Sequence, residues 1–271
     1  MNGKVYYNEH DPKISRWLKQ LIADGHLPAG DVDTRSIEDV TPGELDGYRQ
    51  CHFFAGIGGW ALAAQQAGWP ADRELWSGSC PCQPFSQAGA RTGFADERHL
   101  WPAWHWLIQE CQPPTIVGEQ VASKDANPWL DLVQADLEAL GYAFGATAFP
   151  AAGVGSPQIR DRIYWMADAA FGEERWPREG VEGEAGQDRG RRPDGALSHS
   201  WRHPDWVVCS DGRYRPIEPG SEPLAHGVPA RVELLRGYGN AVCVPAAREF
   251  LSFHPVFDVQ PNRHDEELVG A

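Results

Sequence analysis

Nowhere in the 271 residues does an apolar run approach the roughly 20 residues that a membrane-crossing helix requires, and the N-terminus lacks the basic-then-apolar order of a secretory leader. Both absences lead us to expect a soluble, cytoplasmic chain. A disulfide framework is missing as well. The six cysteines stand scattered at 51, 80, 82, 111, 209 and 243, without the spacing of small secreted domains, so reduced thiols are the expectation. Cys80 and Cys82 look like half a zinc site, but no second CxxC or HxxxH pair stands at ligand spacing, and no metal is expected. Positive charge is scarce too: 24 Lys and Arg face 38 Asp and Glu, a net charge of −14. That balance disfavours a protein that grips nucleic acid through its phosphates. It does not exclude one. Acidic residues gather between Glu173 and Glu184 and in the tail at Asp265, Glu266 and Glu267, whereas arginines from Arg160 to Arg236 crowd the second half. The charge pattern reads as a locally basic cleft on an acidic body.

What is present is ample core material, with 42% hydrophobic residues and twelve tryptophans. Val5 to Tyr7 is a predicted strand, and Asp11-Pro12 then supplies a helix cap with proline at the first helical position. Ile14, Trp17, Leu18, Leu21 and Ile22 share one face of that helix, and Gly25 stops it. Gln50 to Ala55 is a second strand that runs into the glycine turn Phe54-Ala55-Gly56-Ile57-Gly58-Gly59, followed by a helix over Trp60 to Ala67. Leu75 to Ser79 and Thr115 to Gly118 read as further strands. Helices carry Leu100 to Cys111, capped by Asp96, and Leu130 to Leu140, opened by Asn127-Pro128. Strand and helix in alternation predict an α/β fold, a doubly wound, mostly parallel sheet whose ligands bind at the carboxyl ends of its strands.

Chemistry concentrates in Gly78-Ser79-Cys80-Pro81-Cys82-Gln83-Pro84-Phe85-Ser86. A thiol after a proline, on a loop just past a short apolar run, is where a nucleophile would sit, though at an ordinary pKa of about 8.5 it needs assistance from its neighbours. Candidate partners are Glu119 in Val117-Gly118-Glu119-Gln120-Val121 and the arginines of Gln158-Ile159-Arg160-Asp161-Arg162. Each has a plainer reading: a buried cysteine, a solvated carboxylate, a surface arginine pair, an ordinary strand-to-helix glycine turn.

Together and in this order, the glycine turn, the PCQ segment, the glutamate segment, the QxRxR segment and Gly239-Asn240-Ala241-Val242 resemble the DNA cytosine-5 methyltransferases. The resemblance implies a Rossmann-like S-adenosylmethionine-dependent methyltransferase fold with a small target-recognition lobe. It implies Cys82 as the nucleophile that adds to carbon 6 of a flipped-out cytosine, Glu119 as the acid at ring nitrogen 3, Arg162 holding the base and Arg160 ordering the site. It further implies S-adenosyl-L-methionine as the cofactor, with Phe54, Gly56, Ile57, Gly58, Gly59, Pro81, Leu100, Asn240 and Val242 around it. The partner is then double-stranded DNA, bound by a monomer. Whether a cognate restriction endonuclease exists is left open.

The chain departs from the family in three places, one of them the arginine-rich block before the C-terminal motif, which is reduced to Arg231-Val232-Glu233-Leu234-Leu235-Arg236. Gln120 stands where the family has asparagine. The family's acidic cofactor residues on its second and third strands normally lie between the glycine turn and the PCQ loop, and no room for them exists between Gly59 and Cys82. Tyr7-Asn8-Glu9-His10-Asp11 and Gly30-Asp31-Val32 look like those segments, which implies a permutation. Glu9 would meet the ribose hydroxyls, His10 would stand beside the adenine ring and Asp31 would meet its amino group. The expected organisation is a catalytic and cofactor domain over 1–167, with 1–45 supplying the permuted pieces, a target-recognition lobe over 168–229, partly flexible, and a C-terminal return over 230–271. An RNA cytosine methyltransferase and a degenerate DNA-binding relative are the alternatives. The first would want a second catalytic cysteine, for which only Cys111 is near; the second would be expected to lack Cys82 or Glu119.

Overall fold

The computed structural model describes residues 4–81, 100–122, 127–156, 160–169 and 241–254, together with the backbone of 205–208 and 214–217. Strands β1 (Lys4–Asn8), β2 (Gly30–Asp33), β3 (Tyr48–Phe53), β4 (Leu75–Gly78), β5 (Thr115–Val121), β6 (Ala143–Pro150) and β7 (Asp161–Asp168) form one seven-stranded sheet in the order β2-β1-β3-β4-β5-β7-β6. The first five are mutually parallel, and β7 runs antiparallel to both of its neighbours. Strands β8 (Asp205–Val208) and β9 (Tyr214–Ile217) make a separate antiparallel pair inside the expected recognition lobe.

Among the described residues five helices cover the sheet: α1 (Pro12–Ala23), α2 (Gly59–Ala67), α3 (Trp101–Cys111), α4 (Asn127–Ala139) and α5 (Val244–Ser252). Helix α1 starts as anticipated, with the Asp11 side chain accepting from the amides of Lys13 and Ile14. Side chains alternate along β1: Val5 and Tyr7 pack with Leu18 of α1 and Ala61 of α2, while Tyr6 faces Phe53, Trp76 and Trp104 on the other side. Trp101, Trp104 and Trp165 are fully buried there. Each removes about 150–250 Å² from water, roughly 4–6 kcal/mol of gross apolar stabilisation.

Two expectations shift. Helix α3 begins at Trp101 with Leu100 at its cap, so the anticipated cap Asp96 lies outside the described residues. Strand β5 continues through Glu119 and Gln120, because β7 supplies antiparallel partners out to Val121. The uncharged run over β6 carries little alternation in the sequence and takes its place through pairing with β7. Among the described residues no helix is long and apolar enough to cross a membrane.

Candidate active site

The chain runs from β1 outward to β2, then crosses β1 to reach β3 and proceeds the other way through β4 and β5. The reversal opens a crevice at the carboxyl ends of β1 and β3, the place where such sheets take ligands. Register makes the convergence concrete. Phe53 pairs with Gly78 and Gly78 with Gly118, so Phe54, Ser79 and Glu119 follow one step further along three adjacent strands. Tyr7 pairs with His52, which brings Glu9 into the same row. Glu9 and Glu119 thus stand three strand spacings apart, about 15 Å.

On the β1 side, Glu9 Oε1 accepts from the Asp11 amide at 2.8 Å and Oε2 accepts from the Gly56 amide at 2.8 Å. The acidic residue of the N-terminal segment therefore touches the glycine turn. Burial holds the Glu9 carboxyl above its usual range, against the pull of these two amides. Backbone bonds from Ala55 to Asn8 and from Glu9 to Asp33 tie together the ends of β3, β1 and β2. Gly58 has φ +83°, and a side chain there would run into Leu27 and Leu18; Gly56 has φ +56° with open space beside it. Phe54 enters the turn at φ 51° with its ring edge-on to Trp104. Ile57 is half-buried. A half-buried carboxylate and a bulk-free turn leading into the N-terminus of α2 form a donor and acceptor set that fits a ribose and a carboxylate-bearing ligand.

The remaining cofactor expectations are placed unevenly. His10 is exposed, with Nδ1 3.3 Å from the Thr34 carbonyl. Pro81 is exposed where the chain leaves β4, and Leu100 packs against the tryptophan cluster. Val242 lies against Gly59, where a Cβ would come within 3.1 Å of the valine's own. Asp31 requires correction. It pairs with Tyr6 inside β2, and its carboxylate is held by Lys4 and Tyr48 at the opening ends of β1 and β3, away from the crevice. The β2 residue at the carboxyl end is Asp33, which accepts from Tyr6 Oη at 2.9 Å and from Arg35. Its position as the last residue before Thr34-Arg35 was the available signal. Cys82, Asn240 and Gln158 lie outside the described residues.

On the β5 side, Glu119 is 7% exposed. Arg162 Nε stands 2.7 Å from its Oε1 and Arg160 Nη2 4.0 Å away. These are charge contacts, and Oε1 has no well-aligned hydrogen bond. Burial raises the carboxyl above its usual range and outweighs Arg162, Arg160 and a hydrogen bond from Ser79, all of which favour the charged form. Gln120, also buried, donates from Nε2 to the Cys80 carbonyl at 3.1 Å and accepts at Oε1 from the Val121 amide. The residue beside the carboxylate thus anchors the chain two positions before Cys82. Cys80 and Cys51 are buried, in keeping with a packing role. Cys111 lies at the C-terminal end of α3, and burial together with Asp46, Glu110 and Glu74 raises its thiol pKa.

Residues 69–171, which include Glu119, Arg160 and Arg162, match the family described as C-5 cytosine-specific DNA methylase. Over those residues the chain is similar to that family. The type II methyltransferase M.NlaX of Neisseria lactamica is 35% identical over 97 residues, covering 34% of this chain and 31% of the relative. The type II methyltransferase M.HhaI of Haemophilus parahaemolyticus is 27% identical over 167 residues, 47% of this chain and 51% of the relative. The chain thus spans about half or less of the length of these methylase relatives. Among solved structures, the S. pombe Dnmt2 methyltransferase superposes with a TM-score of 0.40 at 18% identity, covering 69% of this chain and 57% of that one. The methylase match begins at residue 69, so Glu9 and the glycine turn lie outside it.

Proposed function

We propose that this chain transfers a methyl group from S-adenosyl-L-methionine to carbon 5 of cytosine in DNA. The observation that carries the reading is Glu119: a buried carboxylate beside two arginines, in register with the glycine turn, within the segment that matches the cytosine-5 methylases. When bound, the cofactor supplies an electrophilic methyl group. Glu9 would accept from its ribose hydroxyls, and the amides at the start of α2 would face its carboxylate.

Carbon 5 of cytosine is a poor nucleophile, and the chain's own groups must change that. Cys82 adds as thiolate to carbon 6 while Glu119 places a proton at ring nitrogen 3, which leaves carbon 5 enamine-like and able to take the methyl group. A base then removes the carbon-5 proton, the bond from carbon 6 to Cys82 breaks to release the thiolate, and the proton on nitrogen 3 returns to Glu119. Burial, which raises the Glu119 carboxyl above its usual range, favours the proton-bearing form that this step needs. Arg162 orients the carboxylate and meets the base carbonyl. The base lies inside a duplex and must be flipped out, at a cost of a few kcal/mol of unstacking. Position disfavours an RNA enzyme with a second catalytic cysteine, because Cys111 sits beyond the other end of β5, ahead of Thr115. Bisulfite sequencing of DNA from cells expressing the chain tests the proposal. Modified cytosines in one sequence context are expected, and their absence with folded protein present would overturn it.

A further inference from the structure

We infer that Arg160 is a positioning residue that couples the catalytic carboxylate to the cofactor turn through the main chain of Ala241. The inference rests on the methylase reading above and adds a role that the two arginines do not share. Arg162 reaches Glu119 with Nε and otherwise donates to the neighbouring Asp161 carbonyl. Arg160 instead reaches two elements at once: Nη2 stands 4.0 Å from Glu119 Oε1 and donates to the Ala241 carbonyl at 2.8 Å.

Ala241 precedes Val242, whose Cβ would come within 3.1 Å of a Cβ on Gly59, with its main-chain O and N at 3.4 and 3.5 Å. Val242 also packs against the buried cluster that holds Trp60, Ala63 and Ala64, so a shift of the segment is felt at the start of α2. The far end of the same segment is fixed independently. His254, just past α5, places Nε2 2.6 Å from Asp168 Oδ2, which also accepts from Thr115 Oγ1 at 3.0 Å, and the Trp69 ring lies 4.9 Å from the imidazole. Arg160 and Asp168 bracket β7, so one strand grips residues 241–254 at both ends. With the remote end pinned, movement of the guanidinium is passed to Ala241, and through Val242 to the glycine turn. Loss of Arg160 therefore loosens the cofactor side of the site, whereas loss of Arg162 leaves it in place.

The test is calorimetric titration of the full chain with S-adenosylhomocysteine, each variant first checked by thermal melting. Arg160→Ala is expected to weaken binding about tenfold, or 1.4 kcal/mol, and Val242→Ala several-fold. Arg160→Lys, which keeps the charge but not the planar fork, should fall between Arg160→Ala and the parent. Arg162→Ala should stay within about twofold of the parent. In initial-rate assays on mixed genomic DNA, Arg160→Ala should raise KM for S-adenosylmethionine, while Arg162→Ala lowers kcat at unchanged KM. Folded Arg160→Ala with parental affinity would overturn the coupling and leave the methylase reading standing. Failure of the parent itself to bind S-adenosylhomocysteine would overturn both. Should Arg160→Ala not fold, parental affinity in both Arg160→Lys and Val242→Ala would overturn the coupling.

Discussion

A carboxyl group keeps its proton to higher pH where water cannot stabilise the anion, and Glu119 is buried in β5 between two neighbouring strands. Its raised pKa has a stability consequence with a definite sign. The folded chain keeps the Glu119 proton to higher pH than the unfolded chain does, so stability falls as pH rises from the ordinary carboxylate value of 4.5 through the raised one. Glu119→Gln should therefore melt at a higher temperature than the parent at pH 8 and lose that advantage near pH 4. The same substitution removes the proton donor, and turnover should drop by about 10²–10⁴ with S-adenosylhomocysteine binding retained. Gln120 invites a second residue-level test. Asparagine, the family's own amide here, is one methylene shorter and cannot span to the Cys80 carbonyl while also meeting the Val121 amide. Gln120→Asn is thus expected to lower kcat while leaving cofactor affinity near parental, as initial rates and titration would show.

Elements in this sheet are held by residues that look unremarkable in the sequence. Gly78 lies under Trp104, where a Cβ would come within 2.6 Å of the ring, and Gly118 lies against the Trp165 ring. Gly118→Ala forces Trp165 or β5 to move and should cost about 1–3 kcal/mol, measurable as a lower denaturation midpoint. Because Glu119 follows directly, turnover should fall with it. Strands β3 and β4 share a different feature. His52 is buried with Nδ1 2.7 Å from Ser77 Oγ, and burial pushes its pKa down from 6.5 to about 3. The folded chain leaves His52 neutral while the unfolded chain protonates it, so stability drains as pH falls from about 6.5 towards 3, by at most about 5 kcal/mol. His52→Gln should flatten that acid limb in melts recorded across the interval.

At the scale of the whole molecule, strand pairing in space does not follow order along the chain. β1 and β2 precede β3 in sequence yet flank it on the side away from β4. A rearranged chain that carries residues 4–45 between Ala67 and Leu75 is expected to form the same sheet and to bind S-adenosylhomocysteine within about tenfold of the parent. Loss of binding in a folded rearranged chain would show that the N-terminal placement itself matters. The strands Val5 to Tyr7, Gln50 to Ala55 and Leu75 to Ser79 were legible as short apolar runs, and α1 as a capped amphipathic helix. Strand β6 was not, since Ala, Gly and Thr carry no period of their own.

Local chemistry is written in neighbouring residues, which is why the glycine turn, the loop around Cys82, Glu119 and the arginine pair could be singled out before any fold was known. The sequence by itself also determined the α/β class, because alternating periods of 2 and 3.6 residues admit few other architectures. Tertiary structure alone decided that Glu9 meets the Gly56 amide, that Asp33 rather than Asp31 reaches the carboxyl end of β2, and that Arg160 rather than Arg162 reaches Ala241. Each of these depends on register or on contact between segments 27 to 81 residues apart, as in Tyr6 with Asp33 and Arg160 with Ala241. A shift of one residue in strand register would turn each side chain to the opposite face of the sheet, and no pattern local to a segment records its register against a distant partner.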